Sequence, residues 1–167
     1  MSAGDPVDLV RRTVDSSIGP LVLVASATGL RAVDFGLDPR RAVTPEGDSP
    51  VLDVAARQLA EYFDGSRLEF DLPLEPVGTA FQLSVWKVLD TIPYGETISY
   101  GEQARRLGDA RKARAVGGAN GRNPLPVVVP CHRVIGTSGA LTGFGGGLPI
   151  KEKLLRHERE VMSCVSR

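Results

Sequence analysis

Residues 99–120 read SYGEQARRLGDARKARAVGGAN, and the punctuation inside this stretch decides the architecture of the second half of the chain. Ser99 followed three residues later by Glu102 is a capping-box pattern. Ala104 and Leu107 carry an apolar face as far as Gly108, the residue type that most readily closes a helix. Asp109 then supplies a cap for a further helix over roughly 110–120. Two short helices joined by a tight, glycine-containing turn resemble a helix-turn-helix. Arg111, Arg114 and Arg122 would lie on or beside its recognition helix. Between positions 105 and 133 the basic residues Arg105, Arg106, Arg111, Lys112, Arg114, Arg122 and Arg133 face only Asp109 as an acidic residue, an electrostatic footprint for a polyanion.

Upstream, Thr79 and Gln82 form another capping-box pattern, and Phe81, Val85, Val88, Leu89 and Ile92 share one face, so the spacing predicts a helix over 80–91 that Pro93 ends. Pro73, Pro76 and Gly78 place a linker near 72–78, dividing the chain into an N-terminal α/β domain over 1–77 and a second domain over 78–167. In the first domain, residues 9–14, 21–27 and 30–35 read as an antiparallel meander broken by Gly19-Pro20 and Thr28-Gly29. Leu52, Ala55, Ala56, Leu59 and Phe63 recur at helical spacing and should pack on that sheet. Downstream, Val127 to Val129 reads as a buried strand fragment behind Pro124 and Pro126, and Pro149 opens a last helix carrying Ile150, Leu154, Leu155 and His157.

With 167 residues, 42% of them hydrophobic and 24% charged, the chain can bury a core but hardly more than two small lobes. Its formal charge is zero, yet residues 1–77 hold 7 basic and 13 acidic groups (net −6) and residues 78–167 hold 13 and 7 (net +6). The basic half is therefore the half that suits nucleic acid. No apolar run approaches the ~18 residues of a membrane span, and the N-terminal residues lack signal-peptide character, so a cytoplasmic protein is expected. Two cysteines and two histidines offer neither a disulfide framework nor zinc spacing, and no metal or other cofactor is expected.

Chemistry concentrates at Pro130-Cys-His-Arg-Val134. A lone cysteine is ordinarily a small buried hydrophobe. A free thiol with pKa about 8.5 is only a few per cent thiolate at pH 7, however, and an adjacent imidazole and guanidinium can lower that value. His132 and Arg133 supply both groups, which makes Cys131 a candidate nucleophile.

PCHRVI at 130–135, together with ISYGE at 98–102, ARAVGGA at 113–119, Asn123-Pro124 and the glycines 145–147, resembles the O6-alkylguanine-DNA alkyltransferases. The resemblance runs from about Asp15 to Glu158 and implies a ribonuclease-H-like α/β lobe followed by a helix-turn-helix lobe of winged-helix type that binds DNA. It implies a single-turnover transferase that moves the alkyl group of O6-alkylguanine, and less well of O4-alkylthymine, onto Cys131 after base flipping, without a cofactor. By that resemblance His132 takes the thiol proton, Glu158 holds the imidazole, Tyr100 donates toward the departing guanine and Asn123 orders the active-site loop. The resemblance also implies that Arg114 is the finger that replaces the flipped base, flanked by the phosphate-binding candidates Arg111, Lys112 and Arg122, with Ala113 and Gly117 keeping the helix slim. By the same resemblance Tyr100, Pro126, Val134, Phe144, Gly145 and Gly146 are expected to wall the alkylguanine pocket, against the 142–146 loop. Phe144-Gly145 departs from the tyrosine followed by serine or glycine that relatives often carry, which removes a phenolic hydroxyl and a Ser side-chain contact to the base. The implied partner is duplex DNA containing O6-alkylguanine, bound by a protein that is monomeric in solution, and Cys164 has no assigned role.

Three other readings compete. A non-repairing alkyltransferase-like protein lacks the acceptor cysteine present here as Cys131. A plain helix-turn-helix regulator accounts for the basic cluster but not for the cysteine-histidine motif. A cysteine hydrolase requires an oxyanion hole that the sequence does not locate.

Overall fold

The computed structural model describes residues 8–36, 38–139 and 143–165. The chain divides into two compact units, Met1–Pro76 and Val77–Arg167.

The first unit is built on an antiparallel sheet in the order β1 (Val10–Val14), β2 (Leu21–Ala25), β3 (Leu30–Phe35). Every residue of the central strand β2 is buried, so it reads as a continuous apolar run rather than an alternating one. Helix α1 (Pro50–Asp64) starts where the Ser49 side chain accepts the Leu52 N–H and a proline fits the first turn. Its buried face is Val51, Leu52, Ala55, Gln58, Leu59 and Tyr62. Phe63, expected on that face, is only half-buried, because the inward stripe passes through Tyr62 instead. Gln58 is tolerated inside because it closes a two-way bond with the Asp71 backbone (2.7 and 2.8 Å).

The stretch 72–78 is less of a free linker than its prolines suggest. Leu30 N donates to Pro73 O (2.9 Å) and Glu75 N to Leu30 O (2.8 Å), while the Glu75 carboxylate receives Ser26, Thr28 and Arg31. Residues 73–75 thus strap the β3 edge, and Gly29 makes the approach feasible, since a Cβ there would sit 2.5 Å from Glu75 Cγ.

The second unit opens with α2 (Ala80–Leu89), whose Thr79–Gln82 capping box forms in both directions. The helix stops two residues short of the expected end, where Asp90 caps it. A two-residue strand β4 (Ile98–Ser99) leads straight into α3 (Tyr100–Leu107), which closes on Gly108 in the left-handed region. Only half of the Ser99–Glu102 box forms: Ser99 accepts the Glu102 N–H, but the Glu102 carboxylate turns to Arg105 and Arg106. A cationic partner holds a carboxylate more strongly than one backbone N–H does.

Asp109 caps as expected, but residues 110–112 form a 3-10 turn, and α4 runs Ala113–Asn120. Residues 127–129 are buried yet form turns rather than a strand. Pro124, Pro126 and Pro130 remove the N–H donors a ladder needs, and Val127 adopts φ 74. After a 3-10 turn, Cys131–Arg133, strand β5 (Val134–Ile135) pairs in parallel with β4, and α5 (Leu148–Val165) completes the unit. Among the described residues no helix is long and apolar enough to cross a membrane.

Candidate active site

The β4–β5 pair is what brings chemistry together, for it sets Ile98 beside Val134 and Ser99 beside Ile135. Tyr100, the first residue of α3, follows this pair directly. Two residues of strand leave no periodicity to read, so this pairing has no sequence signal.

Cys131 is 6% exposed, at the start of the 3-10 turn, with its N–H on Val129 O (2.8 Å). Burial pushes its thiol up to about 11, against a smaller downward pull from an Asn123 hydrogen bond and the Lys151 charge. The expectation that His132 and Arg133 depress this thiol is therefore overturned. Arg133 faces elsewhere, and the cation acting on the sulfur is Lys151. Asn123 is an organiser of the turn: its Nδ2 donates to Val129 O (2.8 Å), and its Oδ1 accepts Leu125 N (2.9 Å).

His132 has no exposure at all, and its Nε2 lies 2.7 Å from Glu158 Oε2. Among the described residues its Nδ1 has no hydrogen-bond partner. Glu158 also takes Gly95 N (3.0 Å) and both Arg133 Nε (2.9 Å) and Nη2 (3.1 Å). Burial alone would raise the Glu158 carboxyl, but His132 and Arg133 hold it well below the ordinary carboxylate range. Burial likewise lowers His132, with Arg133 and Lys151 adding to that effect and Glu158 opposing it. The pair is thus a carboxylate facing a neutral imidazole. An ionised carboxylate only accepts, so Nε2 carries the proton and Nδ1 keeps its lone pair.

Lys151, which sequence reasoning missed, is fully buried. Its Nζ donates to Val134 O (2.6 Å) and lies 5.8 Å from the Tyr100 ring centroid, and burial lowers its pKa. A lysine on an amphipathic C-terminal helix ordinarily reads as solvated, so only packing exposes this one.

Pro126 and Val134 are buried beside the turn, and Tyr100 is half-buried. A Cβ on Gly117 would meet the Tyr100 ring at 3.6 Å, which puts the slim side of α4 against that tyrosine. Arg114 is exposed in the first turn of α4, with Ala113 half-buried before it. Arg111 and Lys112 occupy the preceding 3-10 turn, and Arg122 follows the helix end. Arg133 is withdrawn from the basic surface, being buried in its ion pair with Glu158. Phe144 is half-buried in a turn closed by Gly147 N on Phe144 O (2.9 Å), with Gly145 and Gly146 inside it. Residue 142 of that loop lies outside the described residues.

The second unit thus combines a helix-turn-helix pair bearing exposed cations with a buried cysteine, histidine and carboxylate, the framework of a DNA-binding protein. Comparison with known proteins is more specific. The family model for the ribonuclease-like domain of 6-O-methylguanine DNA methyltransferase matches residues 9–76, and that for its DNA binding domain matches residues 80–160. The chain is 52% identical over 151 residues to a methylated-DNA–protein-cysteine methyltransferase of Mycolicibacterium paratuberculosis, covering 89% of this chain and 91% of that protein. Against the protein of that name in Methanosarcina acetivorans the identity is 47% over 147 residues, covering 86% and 94%. Among solved structures it is similar to the Mycobacterium tuberculosis O6-methylguanine methyltransferase, with TM-score 0.85, 48% identity and coverage of 91% and 93%. A crystal structure of Mycobacterium tuberculosis OGT in complex with DNA gives TM-score 0.84 at 48% identity, covering 90% and 93%. The chain belongs to the 6-O-methylguanine DNA methyltransferase family.

Proposed function

We propose that this protein repairs DNA directly, by moving the alkyl group of O6-alkylguanine onto Cys131, and that the transfer is irreversible. The observation that carries the residue assignment is the buried Cys131 thiol preceding a His132 whose Nε2 is held by Glu158 and whose Nδ1 is left for a proton.

With the thiol near 11, only about one molecule in ten thousand holds a thiolate at pH 7, so the proton must leave as the reaction proceeds. His132 Nδ1 takes it, directly or through one water, and Glu158 stabilises the resulting imidazolium. The sulfur lone pair forms the S–C bond while the C–O6 bond breaks, and the electron pair passes to the guanine ring. Tyr100, whose ring centroid lies 5.8 Å from Lys151 Nζ, donates a hydrogen bond or proton to the departing base. Arg114, on the exposed side of α4, fills the place of the flipped nucleotide, while Arg111, Lys112 and Arg122 neutralise phosphates. The thioether has no second nucleophile to release it, so each molecule acts once. No bound cofactor is required, and the protein acts in the cytoplasm.

Duplex DNA carrying labelled O6-methylguanine tests this reading. Label should appear on Cys131 by mass spectrometry, in an amount equal to active protein, and Cys131→Ser should bind the duplex but acquire none. Label on Cys164, or repeated turnover with methanol released, would overturn it.

A further inference from the structure

In sequence Arg133 looks like either a phosphate contact or an activator of the neighbouring thiol. The structure gives it neither task. It is 7% exposed, and its guanidinium makes a fork onto both oxygens of Glu158, with Nε–Oε1 at 2.9 Å and Nη2–Oε2 at 3.1 Å. Its Nη1 donates to Ile92 O (2.8 Å), and the Tyr94 ring lies 5.4 Å from the guanidinium carbon. The same 92–95 segment supplies Gly95 N to Glu158 Oε1 (3.0 Å). Gly95 has φ +81 and a Cβ there would fall 2.7 Å from Met162 Cγ, so the backbone comes close because no side chain intervenes.

We infer that Arg133 is a positioning residue for the alkyl transfer: its fork holds Glu158 as an oriented carboxylate, which keeps the His132 proton on Nε2 and leaves Nδ1 as the base. This rests on the functional reading of Cys131 given above. Among the described residues Glu158 receives at least four donors on two oxygens, three of them Arg133 Nε, Arg133 Nη2 and Gly95 N. A carboxylate so supplied stays ionised and accepts only, so its fourth partner, His132 Nε2, must donate. A fork also fixes the carboxylate plane, which a point charge does not.

The arrangement sets a pH limb. The groups facing His132 are Glu158 and Lys151 from α5 and Cys131 and Arg133 from its own turn, with Tyr94 and Asp90, after α2, acting on Arg133. Arg133 and Lys151 oppose an imidazolium, and Glu158 favours one. Removing Arg133 removes an opponent and keeps the ally, so His132 protonates at higher pH and the base is lost sooner on acidification.

Two measurements decide it. Single-turnover transfer to Cys131 is followed from pH 5 to 9 in the wild type, Arg133→Gln and Arg133→Lys, and the wild-type imidazoles are read by 15N NMR, with His157→Gln assigning the two histidines. The wild type should show protonated Nε2 and bare Nδ1 at His132. Arg133→Gln should move the acid limb up by about one pH unit, a loss of about tenfold on the limb and much less above it. Arg133→Lys, which keeps the charge but not the fork, should return the limb toward the wild-type position while leaving the plateau rate below that of the wild type. A uniform rate loss with an unmoved limb, or an Nδ1-protonated tautomer in the wild type, overturns the inference. Should Arg133→Gln not fold, the tautomer and the lysine profile still decide. Label found elsewhere than Cys131 overturns the functional reading instead, whereas label on Cys131 with an unmoved limb overturns only the clamp.

Discussion

At Cys131 the neighbourhood raises the thiol rather than activating it in advance, because desolvation outweighs the Lys151 charge and the Asn123 hydrogen bond. A buried, protonated thiol is a poor target for adventitious oxidants, and its reactivity is released only when a base and an electrophile are both in place. The leaving group then becomes as important as the nucleophile. Tyr100, beneath the Lys151 ammonium and at the junction of β4 and α3, is assigned to that half of the reaction. Tyr100→Phe removes one oxygen and keeps the ring against Gly117. It should slow single-turnover transfer by about tenfold to a hundredfold while changing duplex affinity far less. Unaltered rates on an O6-methylguanine duplex would return Tyr100 to packing.

Helix α4 carries the residues to which the proposed function assigns recognition, and it is pinned from inside. Trp86 Nε1 donates to Ala119 O (2.9 Å), tying α2 to it, and Gln103 and Asn120 exchange amide bonds (3.0 and 2.7 Å), tying α3 to it. These are buried bonds between neutral groups, each worth about 1 kcal/mol net but costly to break singly. They leave Arg114, Ala115 and Gly118 on the exposed side. If Arg114 fills the gap left by a flipped guanine, Arg114→Ala should slow duplex repair by at least about tenfold, since unpairing and unstacking cost a few kcal/mol. Reaction with free O6-benzylguanine, which needs no flipping, should be nearly unchanged. Equal losses on both substrates, or a duplex defect rescued by saturating protein, would make Arg114 one phosphate contact among several.

Over the whole molecule, charge is separated by sequence position, net −6 over residues 1–77 and +6 over 78–167. Burial lowers His132, so as pH falls below its ordinary 6.5 the unfolded chain takes that proton first and stability declines. Asp64, Glu75, Glu102, Asp109 and Glu158 are all held below their ordinary values, so their contribution is present above about 4.5 and is lost on further acidification. The His132 step belongs to the second unit alone. Calorimetry should show a lower melting temperature at pH 5.5 than at pH 7.5, with at most about 1.4 kcal/mol per pH unit assignable to this one proton. His132→Gln should shrink the difference. An unchanged difference would mean that His132 does not titrate as a buried neutral group.

What the amino-acid sequence determined by itself is the local order. Caps at Thr79, Ser99 and Asp109, the stop at Gly108 and the order of strands and helices depend on residues only a few positions apart, and those are readable in a string. PCHRV singled out Cys131 and His132 for the same reason, as their neighbours are their signal. Who faces whom is decided by tertiary structure, and of these pairings only Glu158 on His132 is anticipated, through the family resemblance rather than from local sequence. Glu158 reaches His132 across 26 positions and Arg133 across 25, and Lys151 is buried 17 positions beyond the carbonyl it holds, with its Nζ 5.8 Å from the Tyr100 ring centroid. Burial and pairing across such separations come from packing, and packing turned Arg133 from a surface cation into the clamp of a buried carboxylate and raised the thiol that its neighbours alone would lower.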